Sequence, residues 1–302
     1  MMTLQKKATI VSSSVAALLT LMKFSVGLAS GSVAVLASAV DSILDMFVSL
    51  FNYFAISKSE KPADETFNYG RGKIEALASV IEGSVIAISG IFLFYQAIKK
   101  AIYGEESTYL ELSLYIMMAS LIITIALVIY LNYVAKKTGS MVVKADALHY
   151  KTDIYSNGAV LISVFIVFMT GYEFADVLVG GAIALFIIYS AYELIKEGVL
   201  VLLDRALEDE IVSNIKIAIE SESVVNDYHY LKTRQAGQDI FVDVHLVFDC
   251  LISLMDAHRA SDRIEEQIRK LDTNKNWVIN MHLDPYDDSI INDTQTIYNK
   301  GE

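Results

Sequence analysis

The chain has one cysteine, Cys250, in 302 residues. No intrachain disulfide is possible, and thiolate metal sites are a poor expectation. It has only two prolines, so long helices can run without breaks. Positive charge is scarce as well: 24 Lys and Arg stand against 36 Asp and Glu, a net charge of −12. That balance argues against nucleic acid as a partner. The acidity is uneven, because residues 204–302 hold 20 acidic and 10 basic side chains. What abounds is apolar: 54% of residues are hydrophobic, more than an ordinary soluble domain carries.

A bilayer span needs about 20 mostly apolar residues. Six stretches qualify: Thr9–Ala29, Ser32–Ile56, Ala76–Ile98, Leu112–Val134, Met141–Thr170 and Ala175–Ile195. The first is long enough to span and lacks a clear small-residue cleavage site, so no cleavable signal is expected. Lys6, Lys7, Lys58, Lys61, Arg71, Lys73, Lys136 and Lys137 all fall on one side of this arrangement. The first-to-second and fifth-to-sixth loops, on the other side, have no basic residue. Lys99 and Lys100 are offset by Glu105 and Glu106. Both termini are therefore expected in the cytoplasm. The fold class is a polytopic α-helical membrane protein with six transmembrane helices over residues 1–203.

After Leu203 the pattern becomes that of a soluble domain, residues 204–288, followed by a loose tail, 289–302. Glu208–Glu220 and Ser253–Leu271 read as helices. Asp227–Gln235, Asp239–Asp249 and Asn276–Asp284 read as strands. The order is αββαβ, an α+β domain of ferredoxin or metallochaperone type, with helices over a sheet expected to be antiparallel.

Two pairs of metal-ligand residues sit inside apolar helices: Asp41 with Asp45, and His149 with Asp153. Residues four apart share one helix face. Charges in hydrocarbon must face a bundle interior, a cavity or a partner. A lone Asp in a span often just pairs with a lysine. Two ligand pairs offer more, a cage of three carboxylates and an imidazole for a divalent cation. That O₃N set suits Zn²⁺. Its ligands must lose protons to bind metal, so metal and proton are coupled. Lys144, Asp146 and Lys151 lie near the start of the fifth span and read as interfacial, snorkelling side chains. Glu82, inside the third span, has no assigned role.

The four remaining histidines, His229, His245, His258 and His282, all fall in the acidic domain. His282 and Asp284 are two apart on a strand, so they share the face opposite Ile279, Met281 and Leu283. Metal binding is expected there too.

The chain also carries the motifs SAVDSILD, YGRGKIEALAS, ADALHYKTD, LLDRAL, YLKTRQAG, DVHLVF and NMHLDP. Over nearly all of residues 8–288 the chain resembles the cation diffusion facilitators, close to the bacterial zinc and ferrous-iron efflux transporters. The resemblance implies a homodimer in the inner membrane that exports divalent metal by proton antiport. Zn²⁺ is the foremost substrate, with Fe²⁺ and Cd²⁺ next, and no organic cofactor is implied. It also implies roles. Asp41, Asp45, His149 and Asp153 match the transport site. His229, His245, His258, His282 and Asp284 match a binuclear cytoplasmic site. Lys73 and Asp204 match a charged interlock near the dimer interface.

The chain departs from the family pattern in the second-to-third loop, where a surface site of one Asp and two His is expected. Asp64 remains, but Phe67 and Arg71 occupy the histidine positions. A phenyl ring cannot ligate Zn²⁺, and a guanidinium repels it. Leu283 likewise stands where a polar residue is expected. The alternatives to a transporter are an intramembrane metal-dependent enzyme, which needs an open coordination position and a base, and a membrane-anchored metal sensor.

Overall fold

The computed structural model describes residues 2–30, 33–103, 111–170 and 174–288. The tail expected over 289–302 lies outside them. The chain divides into two compact units, Met1–Val199 and Leu200–Glu302.

The first unit is built from long helices: α1 (Leu4–Ser30), α2 (Val33–Ser59), α3 (Lys73–Tyr103), α4 (Glu111–Thr138), α5 (Met141–Thr170) and α6 (Phe174–Leu202). The shortest has 27 residues. At about 1.5 Å per residue that is about 40 Å, enough to cross hydrocarbon about 30 Å thick. Among the described residues, four helices contain a stretch long and apolar enough to span: Leu4–Val26, Lys73–Lys99, Met118–Thr138 and Val177–Leu202. The other two, α2 and α5, are the ones that carry the ligand pairs.

The outside of these helices is oily and the inside partly polar. Phe47, Ile88, Phe92, Ile122, Ile129 and Leu185 are exposed, whereas Asn52, Glu82 and Asp146 are buried. That is the reverse of a water-soluble bundle. Small residues let the helices approach closely. A Cβ added at Gly198 of α6 would lie 2.6 Å from Val80 Cγ2 and 3.1 Å from the Ala76 carbonyl of α3. Ala8, Ile56, Leu131, Val142 and Tyr150 share a core among α1, α2, α4 and α5.

The second unit contains α7 (Asp209–Glu220), β1 (Asp227–Ala236), β2 (Asp239–Val247), α8 (Leu254–Arg269) and β3 (Asn276–Asp284). The sheet order is β1-β2-β3. Gly237, at φ 64°, turns β1 into β2. Ser253 caps α8, its hydroxyl accepting from the Asp256 amide. Ile215 and Ile219 of α7 and Ile264 and Ile268 of α8 pack on Ile240, Val242, Val244 and Leu246 of β2. Both helices thus cover one face of the sheet, and the odd-numbered residues of β2 face away from them.

The sheet is mixed, which corrects the expected antiparallel arrangement. β1 and β2 are antiparallel, but β2 and β3 are parallel. The physical reason is the connection. A hairpin turn joins β1 to β2, while β2 and β3 are separated by α8, and a crossover helix is what parallel neighbours need. Side-chain alternation in β3 reads the same in either direction.

Candidate metal centres

In the first unit, α2 and α5 bring three of the expected ligands together. His149 Nε2 lies 3.0 Å from Asp45 Oδ1. One ligand atom each from Asp45, His149 and Asp153 lies within 4.8 Å of the others. His149 and Asp153 are one turn apart on α5, so both reach the same point on α2. All three side chains are partly buried. Asp41 belongs to α2, one turn before Asp45, but its side chain lies outside the described residues.

Asp146 is not an interfacial residue. It is fully buried, which corrects the snorkelling expectation. Asn52 Nδ2 donates to Glu82 Oε2 at 3.0 Å and reaches Asp146 Oδ1 at 3.4 Å. Glu82, unassigned from sequence, is therefore Asp146's neighbour through one amide. Lys144 does reach outward, where it pairs with Glu197.

In the second unit, strand register sets three histidines in a row. His229 of β1 stands opposite His245 of β2, and His245 opposite His282 of β3. Their ring centroids are 5.0 and 4.7 Å apart. A register shift between His229 and Lys232, with Tyr230 at φ 58°, bends β1 at this point. Such a bulge re-aims the side chains beside it. All three rings lie on the face that α7 and α8 leave uncovered.

Asp284 is the hub of this row. Its carboxylate lies 3.0 Å from His245 Nδ1, 3.1 Å from His282 Nε2 and 3.6 Å from His229 Nε2. Asp288 joins it, with Oδ1 at 3.0 Å from His229 Nε2. His229, His245, Asp284 and Asp288 each offer a ligand atom within 4.8 Å of the rest. Neither ring nitrogen of His229 makes a hydrogen bond, although both atoms are buried. Ligand atoms pointed at one shared centre behave this way, so the residues present fit a metal ion. Sequence reasoning missed Asp288. Its signal was the acidic run Asp287-Asp288 just past the last strand.

His258 is not brought to this group within one chain. It is exposed on α8, the layer on the opposite face, 3.7 Å from Asp262. Lys73 opens α3 in the first unit. Asp204 belongs to the second, where its carboxylate lies 3.3 Å from Arg234 Nη1. Leu283 lies among the side chains packed against the core of the second unit.

The loop between α2 and α3 holds Asp64, Phe67 and Arg71 together, with the guanidinium engaging both of its neighbours. Arg71 Nη2 lies 2.6 Å from Asp64 Oδ2, and its guanidinium stacks 4.2 Å from the Phe67 ring centre. The other Asp64 oxygen accepts from the Thr66 and Phe67 amides at 3.0 and 2.9 Å. The Phe67 amide, then the Arg71 side chain, hold the Asp64 carboxyl below its ordinary value.

Comparison with known proteins agrees with this architecture. Residues 9–203 match the family described as cation efflux transmembrane domain. Residues 207–286 match the cation efflux protein cytoplasmic domain. The chain is 35% identical over 282 residues, 93% of either chain, to the cation-efflux pump FieF of Escherichia coli O139:H28 (strain E24377A / ETEC). The FieF proteins of Escherichia coli strain K12 / DH10B and of O157:H7 (strain EC4115 / EHEC) match equally. The chain belongs to the cation efflux family, the cation diffusion facilitators, which are membrane transporters and not enzymes.

Proposed function

We propose that this protein exports divalent metal cations from the cytoplasm in exchange for protons, with Zn²⁺ as first substrate and Fe²⁺ and Cd²⁺ as further ones. The carrying observation is the convergence of Asp45, His149 and Asp153 within 4.8 Å. Asp41, one turn away on α2, supplies the fourth ligand. An O₃N set suits Zn²⁺, and its ligands bind metal only when deprotonated. Protons arriving from the far side therefore displace the metal, which is the chemistry an antiporter needs. The relatives' name, cation-efflux pump, supports the direction of transport.

In this reading α1–α6 all span the bilayer of a bacterial inner membrane. An even number of spans places both termini on one side, and the Lys and Arg distribution makes that side the cytoplasm. The protein works as a homodimer. Lys73 and Asp204 form its charged interlock. His229, His245, His258, His282 and Asp284, joined by Asp288, hold structural metal in the cytoplasmic domain and regulate transport from there.

The test is flux by purified protein in sealed vesicles under a pH gradient, comparing Zn²⁺, Fe²⁺ and Cd²⁺. Zn²⁺ flux that rises with the gradient is expected. Metal binding without flux would instead leave a membrane-anchored sensor.

A further inference from the structure

The pair Glu82 and Asp146 lies outside the transport ligands and has no place in the mechanism above. Both carboxyl groups are almost wholly buried, together with Asn52, Ser49 and Tyr150. Asn52 Nδ2 reaches Glu82 at 3.0 Å and Asp146 at 3.4 Å, Ser49 Oγ reaches Asp146 Oδ1 at 3.3 Å, and Tyr150 OH lies 2.9 Å from Ser49 Oγ. Three oxygens of this group have no hydrogen-bond partner: Asn52 Oδ1, Glu82 Oε1 and Asp146 Oδ2. Buried acceptors left this way are costly, and two adjacent buried carboxyl groups must be relieved by a proton or by a cation.

The three unmatched oxygens belong to buried side chains held together by the Asn52 amide, which donates to both carboxylates. A proton shared by the two carboxyl groups would still leave the Asn52 amide oxygen unmatched. A divalent ion draws in several and balances both charges.

We propose that Glu82, Asp146 and Asn52, with Ser49 and Tyr150 beside them, form a second cation station for a hard divalent ion of the Mn²⁺ or Mg²⁺ class. The donor set is all oxygen, which selects hard cations over those that prefer imidazole. The station adjoins the first site along both helices. Asn52 follows Asp45 by seven residues on α2, and Asp146 precedes His149 by three on α5, so the polar faces are continuous. Where the transport reading holds, the station is on the cytoplasmic side of the transport ligands. Cation binding itself does not depend on that reading.

Mn²⁺ binding to full-length protein in nanodiscs, read by electron paramagnetic resonance, tests this. The background is the variant Asp45→Asn with Asp284→Ala and His245→Ala, which removes ligands from the transport centre and both the hub and a histidine from the cytoplasmic one. One Mn²⁺ per protomer is expected to remain and to bind at least tenfold more weakly after Glu82→Gln. Asn52→Asp, which adds a third carboxylate, should tighten binding and carries the test should Glu82→Gln not fold. No bound Mn²⁺ in the background protein, or Mn²⁺ indifferent to both substitutions, overturns the proposal. Zn²⁺ flux of the otherwise unaltered protein tests the transport reading separately, so the two can fail independently.

Discussion

His149 Nε2 lies 3.0 Å from Asp45 Oδ1, tying α5 to α2 beside Asp153. The contact crosses 104 residues of sequence, so it exists only because the two helices pack face to face.

Removing either carboxylate beside His149 should remove transport. Asp45→Ala or Asp153→Ala is expected to lower Zn²⁺ flux to background. Outer-shell changes at metal sites cost about 10–100-fold, and a direct ligand costs more. The variants should still elute as the same oligomer, because the packing of α2 on its neighbours rests on Ala55 and Ile56 rather than on Asp45. Wild-type flux in either variant would remove these residues from the transport site.

Selectivity should follow the single nitrogen. His149→Asp makes the ligand set all oxygen, which shifts preference from Zn²⁺ toward Mn²⁺. Competition between the two ions in the vesicle assay measures it. An unchanged Zn²⁺ preference would assign selectivity to something other than ligand type.

In the cytoplasmic domain the largest effect is expected from Asp284, the carboxylate within reach of three histidines. Asp284→Ala and His245→Ala should each lower the metal bound per protomer of the full-length protein, while flux persists at a reduced level. His258→Ala should remove less, because His258 is exposed on the helix layer away from the row. Equal losses in all three variants would show that His258 is a full ligand.

Much of this was legible from sequence, for reasons particular residues make plain. The i, i+4 spacing of His149 and Asp153 fixes their common face whatever surrounds them. The His-x-Asp alternation of His282 and Asp284 does the same on a strand. Strand direction was not legible, since alternation has no polarity. Nor was Asp146 legible: Lys144 and Lys151 flank it and suggest an interface, and only the packing of α2 and α3 against α5 shows that it is buried. Glu82 meets Asp146 through Asn52, 30 residues earlier in the chain than Glu82.

A pH-dependent contribution to the second unit is expected from Glu222. Arg263 donates to both of its oxygens at 2.8 Å and holds its carboxyl below the ordinary value. A depressed carboxyl contributes stability above its unfolded value, and that contribution is lost as pH falls through the folded one. Arg263 is half exposed, so solvent screening keeps the contribution small. Glu222→Gln should lower the melting temperature slightly at pH 7 and by progressively less as pH falls below the ordinary carboxyl range. An equal loss at every pH would assign the effect to packing.

The loop between α2 and α3 gives the last prediction. Asp64 is paired with Arg71, and the guanidinium lies over Phe67. Asp64→Ala should therefore leave the number of bound metal ions per protomer unchanged. The three positions are nevertheless adjacent, so the geometry for a site persists while its chemistry has been replaced. Substituting Phe67→His and Arg71→His together removes the repelling cation and supplies two imidazoles beside the retained carboxylate, a ligand set suited to Zn²⁺. Zn²⁺ titration of the double variant should show one additional site per protomer, lost again when Asp64→Ala is added. Because the loop lies outside the helices that bear the transport ligands, the gain should appear without a change in ion selectivity. A wild-type stoichiometry that already falls with Asp64→Ala would show that Asp64 binds metal despite Arg71.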